Sequence, residues 1–167
     1  MNRIIRYTGA FVLLVVLQLI IFNNIEFSGY INPYVYLMFI LILPVSIPSW
    51  ILLLLSFFTG TVIDLFTGTL GVHAFATVLA GFVRPWVLSL NVTAEGAEGD
   101  TSPSTYRSSL RWFLVYTVTV VFVHHLALFL VEIFSLRHFF HTLLRVLLST
   151  AVTSFFIVLF DFIRPHR

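Results

Sequence analysis

The residues able to do chemistry are few, and most lie inside or beside apolar runs. Asp64, His73 and Arg84 fall within the stretch 60–85, GTVIDLFTGTLGVHAFATVLAGFVRP. A second set comprises His124, His125 and Glu132, followed by His138, His141 and Arg145. Ionisable groups in lipid are costly, so each marks either a functional site or a paired structural group. Asp64 has two such uses. As a functional group it would be a binding or proton-relay carboxylate. As a structural one it would accept the free N–H groups that open the following helix around residues 71–73, because the macrodipole opposes a carboxylate at the end of its own helix. Glu132 lies one heptad after His125, and His138, His141 and Arg145 are spaced i, i+3, i+7, with Ser149 and Thr153 extending that stripe. Brought together, these residues would form a polar cluster in the outer half of a bundle. Imidazole and carboxylate are fit ligands for zinc, but no HExxH-type spacing is present, and a Glu132–Arg145 or Asp64–Arg145 ion pair is the expectation for a buried guanidinium. No metal, cofactor, nucleophile elbow, phosphate loop or dinucleotide fingerprint is indicated, so no enzyme activity is expected.

The elements that must position these residues are transmembrane helices. Of 167 residues, 59% are hydrophobic and 10% charged, against about 25% charged in soluble domains. The class is an all-α integral membrane protein forming one polytopic domain. There is no cysteine, which excludes disulfides and thiolate metal sites. The net charge of +2 has no basic patch behind it, so nucleic acid is not a partner.

Six spans are expected, at about 7–24, 31–47, 50–66, 72–90, 110–134 and 139–163, with a hydrophilic loop at 91–109. Arg3 and Arg6 before the first run resemble a secretory leader, but Asn23, Asn24 and Glu26 offer no small-residue cleavage site, so the run reads as an uncleaved first helix. The second span is short. It meets a floor of roughly 17 residues, with Pro33 in its first turn and Pro44 near its end. Six spans put Arg3, Arg6, Arg84, Arg107, Arg111, Arg164 and Arg167 on one side and leave Arg137 opposite, so the positive-inside bias predicts cytoplasmic termini. The fourth span ends GFVRP at 81–85 and the sixth DFIRP at 161–165. Each arginine is expected to reach lipid phosphate and each proline to stop its helix. Ser56, Gly60 and Asp64 on the third span, and Ala76, Ala80 and Arg84 on the fourth, recur every four residues. Small residues at that spacing let helices approach closely, within the chain or across a dimer or partner interface.

Two stretches carry a family resemblance. One is Ile31-Asn-Pro-Tyr leading into an apolar run that ends Leu43-Pro44. The other is Gly60-Thr-Val-Ile-Asp64-Leu-Phe, then Gly71-Val-His73-Ala-Phe-Ala76, ending Phe82-Val-Arg84-Pro85. Together they resemble the rod shape-determining protein MreD, in its Bacteroidetes variety, over the middle third of the chain. The resemblance implies an inner-membrane scaffold of lateral-wall peptidoglycan synthesis, without catalytic activity. It implies a bundle similar to the substrate-binding subunits of energy-coupling-factor vitamin transporters. The implied partners are MreC, whose transmembrane helix it would grip, a second copy in a homodimer, and indirectly MreB and RodA with its penicillin-binding partner. The family residues would be Pro33, Pro44, Asp64, Gly68, Gly71, His73, Arg84 and Pro85, with Gly60 in the same motif, whereas the cluster on the fifth and sixth spans inherits nothing. An alternative from the polar cluster is a vitamin-like-ligand-binding subunit of a transporter. A third reading is a lipid-processing enzyme using His124, His125 or His141.

Overall fold

A computed structural model describes residues 3–25, 31–91, 102–106, 109–133 and 139–164. Its helices are α1 (Arg3–Ile20), the four-residue α2 (Met38–Leu41), α3 (Ser49–Thr67), α4 (Val72–Asn91), α5 (Leu110–Ile133) and α6 (Phe139–Ile163). Single 3-10 turns follow α1 at Phe22–Asn24 and precede α2 at Val35–Leu37. Among the described residues, five helices are long and apolar enough to cross a membrane, so the chain is a multi-pass, all-α membrane protein. Its burial pattern agrees. Leu54, Phe57, Phe58, Phe155 and Phe162 are exposed, whereas Ser56, Thr59, Thr77, Thr117, Ser149 and Thr153 are buried. Lipid removes the usual reason for turning apolar groups inward and makes small polar groups the better interior.

The stretch 31–47 departs from expectation. A continuous second helix is replaced by extended residues 32–34, the turn Val35–Leu37, α2, and a non-helical exit through Pro44. Pro33 at the front and Pro44 and Pro48 behind leave no room for a longer helix. The stretch runs parallel to α4 on its inner side. Tyr34 packs against His73 at the start of α4, Tyr36 bonds Thr77 one turn on, and Leu43 and Pro44 meet Arg84 further down. Residues 35–43 are all buried. Non-helical backbone at membrane depth survives only when protein surrounds it, and here it does.

α3 and α4 form the tight hairpin around which this is arranged. Gly68 closes α3 in the left-handed region at φ +71°, and Gly71 at φ +84° turns the chain into α4. Side chains are missing where the helices touch. A Cβ on Gly60 would lie 2.6 Å from the His73 carbonyl oxygen, and one on Gly81 would lie 3.1 Å from the Ser56 Cβ. The α3 stripe therefore meets α4 of the same chain, at residues 73, 74 and 81, whereas the α4 stripe turns to the interior. Ala76 packs with Leu128, Phe129 and Val146, and Ala80 with the main core.

Pro85 was expected to end the fourth span, yet α4 continues through it to Asn91. Proline removes one helical donor and crowds the carbonyl four residues earlier, which belongs to Gly81. Ending the helix there would release several more backbone groups into lipid. Pro165, the counterpart after α6, lies outside the described residues, as do His138 and most of the loop 91–109. The start of α1, residues 102–105 and the end of α6 meet at one end of the bundle. Tyr7 Oη lies 2.8 Å from Ser102 Oγ, and Asp161 accepts from the Thr105 N–H at 2.7 Å and its hydroxyl at 2.8 Å.

Candidate functional site

The buried polar groups gather around the stretch 31–44, and the reason is local. Outside a helix its N–H and C=O groups lack internal partners, and each left bare in an apolar interior would cost about 1–3 kcal/mol. Side chains of the surrounding helices supply those partners. Gln18 of α1 spans a gap, donating to the Pro33 carbonyl at 3.0 Å and accepting from the Tyr36 N–H at 3.3 Å. From α6, Ser149 accepts the Asn32 N–H at 3.0 Å and Thr153 the Tyr34 N–H at 3.1 Å. On α5, Tyr116 donates to the Leu41 carbonyl at 3.0 Å.

Arg84 completes the set at the far end. Its guanidinium donates to the carbonyls of Leu43 and Pro44, and its Nε to Tyr116 Oη at 2.9 Å. Only 1% of the residue is exposed. The expectation that Arg84 reaches lipid phosphate is thus corrected. The side chain turns inward, where the carbonyls leaving α2 would otherwise lie buried without a donor. Its acceptors are neutral oxygens, not carboxylates.

Asp64 takes the structural role. Oδ1 accepts the His73 N–H at 3.0 Å and the Thr69 hydroxyl at 2.5 Å, and Oδ2 accepts the Ala74 N–H at 2.8 Å. The carboxylate of one helix therefore caps the next and locks the hairpin. From Ala74 to Arg84 the helix rises about 15 Å, half a bilayer core, which keeps Asp64 and Arg84 apart. They do not pair.

The expected cluster on the fifth and sixth spans divides in two. Glu132 and Arg145 form an ion pair at 3.1 Å between the end of α5 and the first turns of α6, with Arg145 also 4.1 Å above the Phe129 ring. With its amide turned so that oxygen faces the guanidinium, Asn32 accepts from Arg145 Nη2 at 2.7 Å and Nε at 3.0 Å. His141 on the same helix is exposed. His124 and His125 lie deeper, fully buried around Tyr34, whose ring centroid is 5.9 and 5.4 Å from theirs.

Hydrogen bonding assigns the His124 tautomer. Thr77 donates to the His73 carbonyl at 2.7 Å, so it accepts from Tyr36 Oη at 3.2 Å, and the Tyr36 oxygen must accept from His124 Nε2–H at 2.8 Å. His125 Nδ1 lies 2.9 Å from the Val121 carbonyl and its Nε2 3.3 Å from Thr153 Oγ1. His124 Nδ1 is sealed in the interior without a partner. Among the described residues no three His, Asp or Glu side chains gather as a metal would require.

The partner-giving residues Gln18, Tyr34, Tyr36, Tyr116 and Asp161 were not marked by sequence reasoning. Gln18 carried a signal, as the single amide in a strongly apolar run. Tyr34 and Tyr36 alternate beside Pro33, an extended rather than helical pattern. Asp161, fully buried, pairs with Arg164 at 3.0 Å.

Above the histidines a cavity of about 620 Å³ opens between the ends of α1 and α3 and the start of α4, lined by Asn23, Asn24, Asn32, Tyr34, Phe66 and His73 among others. No protein-family model, no curated protein and no solved structure matches this chain.

Proposed function

We propose that the chain is a non-enzymatic membrane scaffold of the machinery that builds the lateral cell wall, similar to MreD. In this reading it crosses a bacterial inner membrane six times, the second time by the broken stretch 31–47, as a bundle similar to energy-coupling-factor substrate-binding subunits. The end carrying Arg3, Arg6, Arg111 and Arg164 faces the cytoplasm by the positive-inside bias. Its partners would be the bitopic protein MreC, a second copy of the chain, and through MreC the MreB filament and RodA with its penicillin-binding partner. One observation carries the reading. The positions that bear the resemblance build the α3–α4 hairpin and tie the second stretch to it: Asp64 as cap, Gly68 and Gly71 as turn, Arg84 as clasp on Pro44. Residues spent on holding backbone are not free to react. Depletion in a rod-shaped host should round the cells, and affinity purification should recover MreC. Cells that keep their shape on depletion would refute it.

The second reading, a vitamin-like-ligand-binding subunit of a transporter, draws on the outer cavity and predicts co-purification with an ATPase pair.

A further inference from the structure

We propose that the cavity over His73 binds a neutral sugar, free or as the headgroup of a glycolipid. The cavity's volume of about 620 Å³ falls within the roughly 300–1,000 Å³ typical of small-molecule sites. His73 is 4% exposed, and neither of its ring nitrogens has a hydrogen-bond partner. Its Nδ1 is sealed from the cavity, so Nε2 is the ring atom left to meet a ligand, as donor or as acceptor according to the tautomer. Tyr34 Oη is likewise unpartnered, and Asn23 uses its oxygen on Gln18 at 2.8 Å, leaving its NH₂ over. Asn24 spends its NH₂ on the Leu19 and Ile20 carbonyls at 3.2 and 2.8 Å, leaving its oxygen.

Donors and acceptors are thus interleaved, and no Asp, Glu, Lys or Arg is among the described lining residues. An ion entering would lose its hydration with no opposite charge to replace it. A polyol suits the pattern, because each hydroxyl both donates and accepts and can face either kind of group. Phe66, exposed at the rim, gives an apolar flank on the lipid side, which accommodates the acyl part of a glycolipid. The inference does not depend on the scaffold reading: cells rounding on depletion and sugar binding in vitro are separate results.

The test uses the full chain in phosphatidylcholine–phosphatidylglycerol nanodiscs, prepared without alkyl maltosides, which carry the proposed chemistry themselves. N-Acetylglucosamine and methyl glucoside are titrated calorimetrically, and monoglucosyl diacylglycerol is offered in parallel discs, with retention read by native mass spectrometry. Saturable binding of both forms supports a free-sugar site, and binding of the lipid-borne form alone supports a headgroup site. His73→Phe should weaken binding about tenfold and Tyr34→Phe about fivefold, one to two neutral hydrogen bonds each. Asp64 holds the His73 backbone rather than its ring, so the α4 cap persists in the variant, and unchanged ligand-free melting verifies the fold. Failure of both sugar forms to bind, equal binding by the two variants, or preference for a neutral heterocycle such as riboflavin would overturn it.

Discussion

The two ends of the stretch 31–44 treat their polar groups differently. At the Pro44 end, Arg84 and Tyr116 close on the carbonyls of Leu41, Leu43 and Pro44, and the surroundings are the largest apolar core, with Leu37–Leu43, Phe113 and Val120. At the Tyr34 end, Gln18, Ser149 and Thr153 satisfy the backbone, but His73 and Tyr34 still present unmet ring and hydroxyl groups toward a cavity. The Pro44 end is a clasp and the Tyr34 end a receptacle. Both bring buried polar side chains to the same stretch, so polarity alone did not decide between structure and ligand. What decided was whether each donor and acceptor was already used.

This contrast can be broken in order of expected effect. Arg84→Ala should cost most, about 3 kcal/mol or more, because charge-assisted bonds are worth about 1.5–3 kcal/mol each and the released carbonyls stay buried. Arg84→Lys should recover less than half, since one ammonium cannot reach Leu43, Pro44 and Tyr116 together. Unfolding in mixed micelles measures both, and an Arg84→Ala loss below about 1 kcal/mol would contradict the clasp. Gly60→Ala should follow at about 1–3 kcal/mol, because the new methyl meets the backbone of residues 73 and 74 rather than a movable side chain. Gly81→Ala meets the small side chain of Ser56 instead, so Ser56→Ala should rescue it, and a rescue of Gly60→Ala by the same change would argue against this assignment.

Asp64→Ala should remove about 1–2 kcal/mol by uncapping α4, with Asp64→Asn retaining part of it. Smallest is Glu132→Gln. The Glu132 side chain is 42% exposed, and an ion pair so open to its surroundings contributes about 0–1 kcal/mol. A larger loss would mean that the Tyr34 end is as tightly held as the Pro44 end.

Much of the helical frame was legible in the sequence because its causes are local. Long apolar runs, four-residue spacing of small side chains and a carboxylate beside the next helix's free N–H groups are all short-range facts. Asp64 capping α4 and Glu132 pairing with Arg145 follow from them. The stretch 31–47 was not legible in the same way. Apolar composition cannot distinguish a spanning helix from a broken segment sheathed by protein, and only the spacing of Pro33, Pro44 and Pro48 hinted at the difference. Arg84 was misdirected for a related reason. An arginine near a helix end reads as snorkelling toward lipid phosphate unless the carbonyls it clasps, forty residues away in sequence, are known to be free. The receptacle was invisible because its residues come from α1, the stretch 32–34, α3 and α4, which no spacing rule joins.

Magic-angle-spinning NMR of the chain in lipid bilayers tests the broken, clasped stretch most directly, since Cα and Cβ shifts report backbone conformation residue by residue without substitution. Extended shifts at 32–34, helical shifts confined to 35–41, and contacts from the Arg84 guanidinium to the Leu43 and Pro44 carbonyls are predicted. Uninterrupted helical shifts from Pro33 to Ile47, with Arg84 in contact with lipid phosphate, would contradict it.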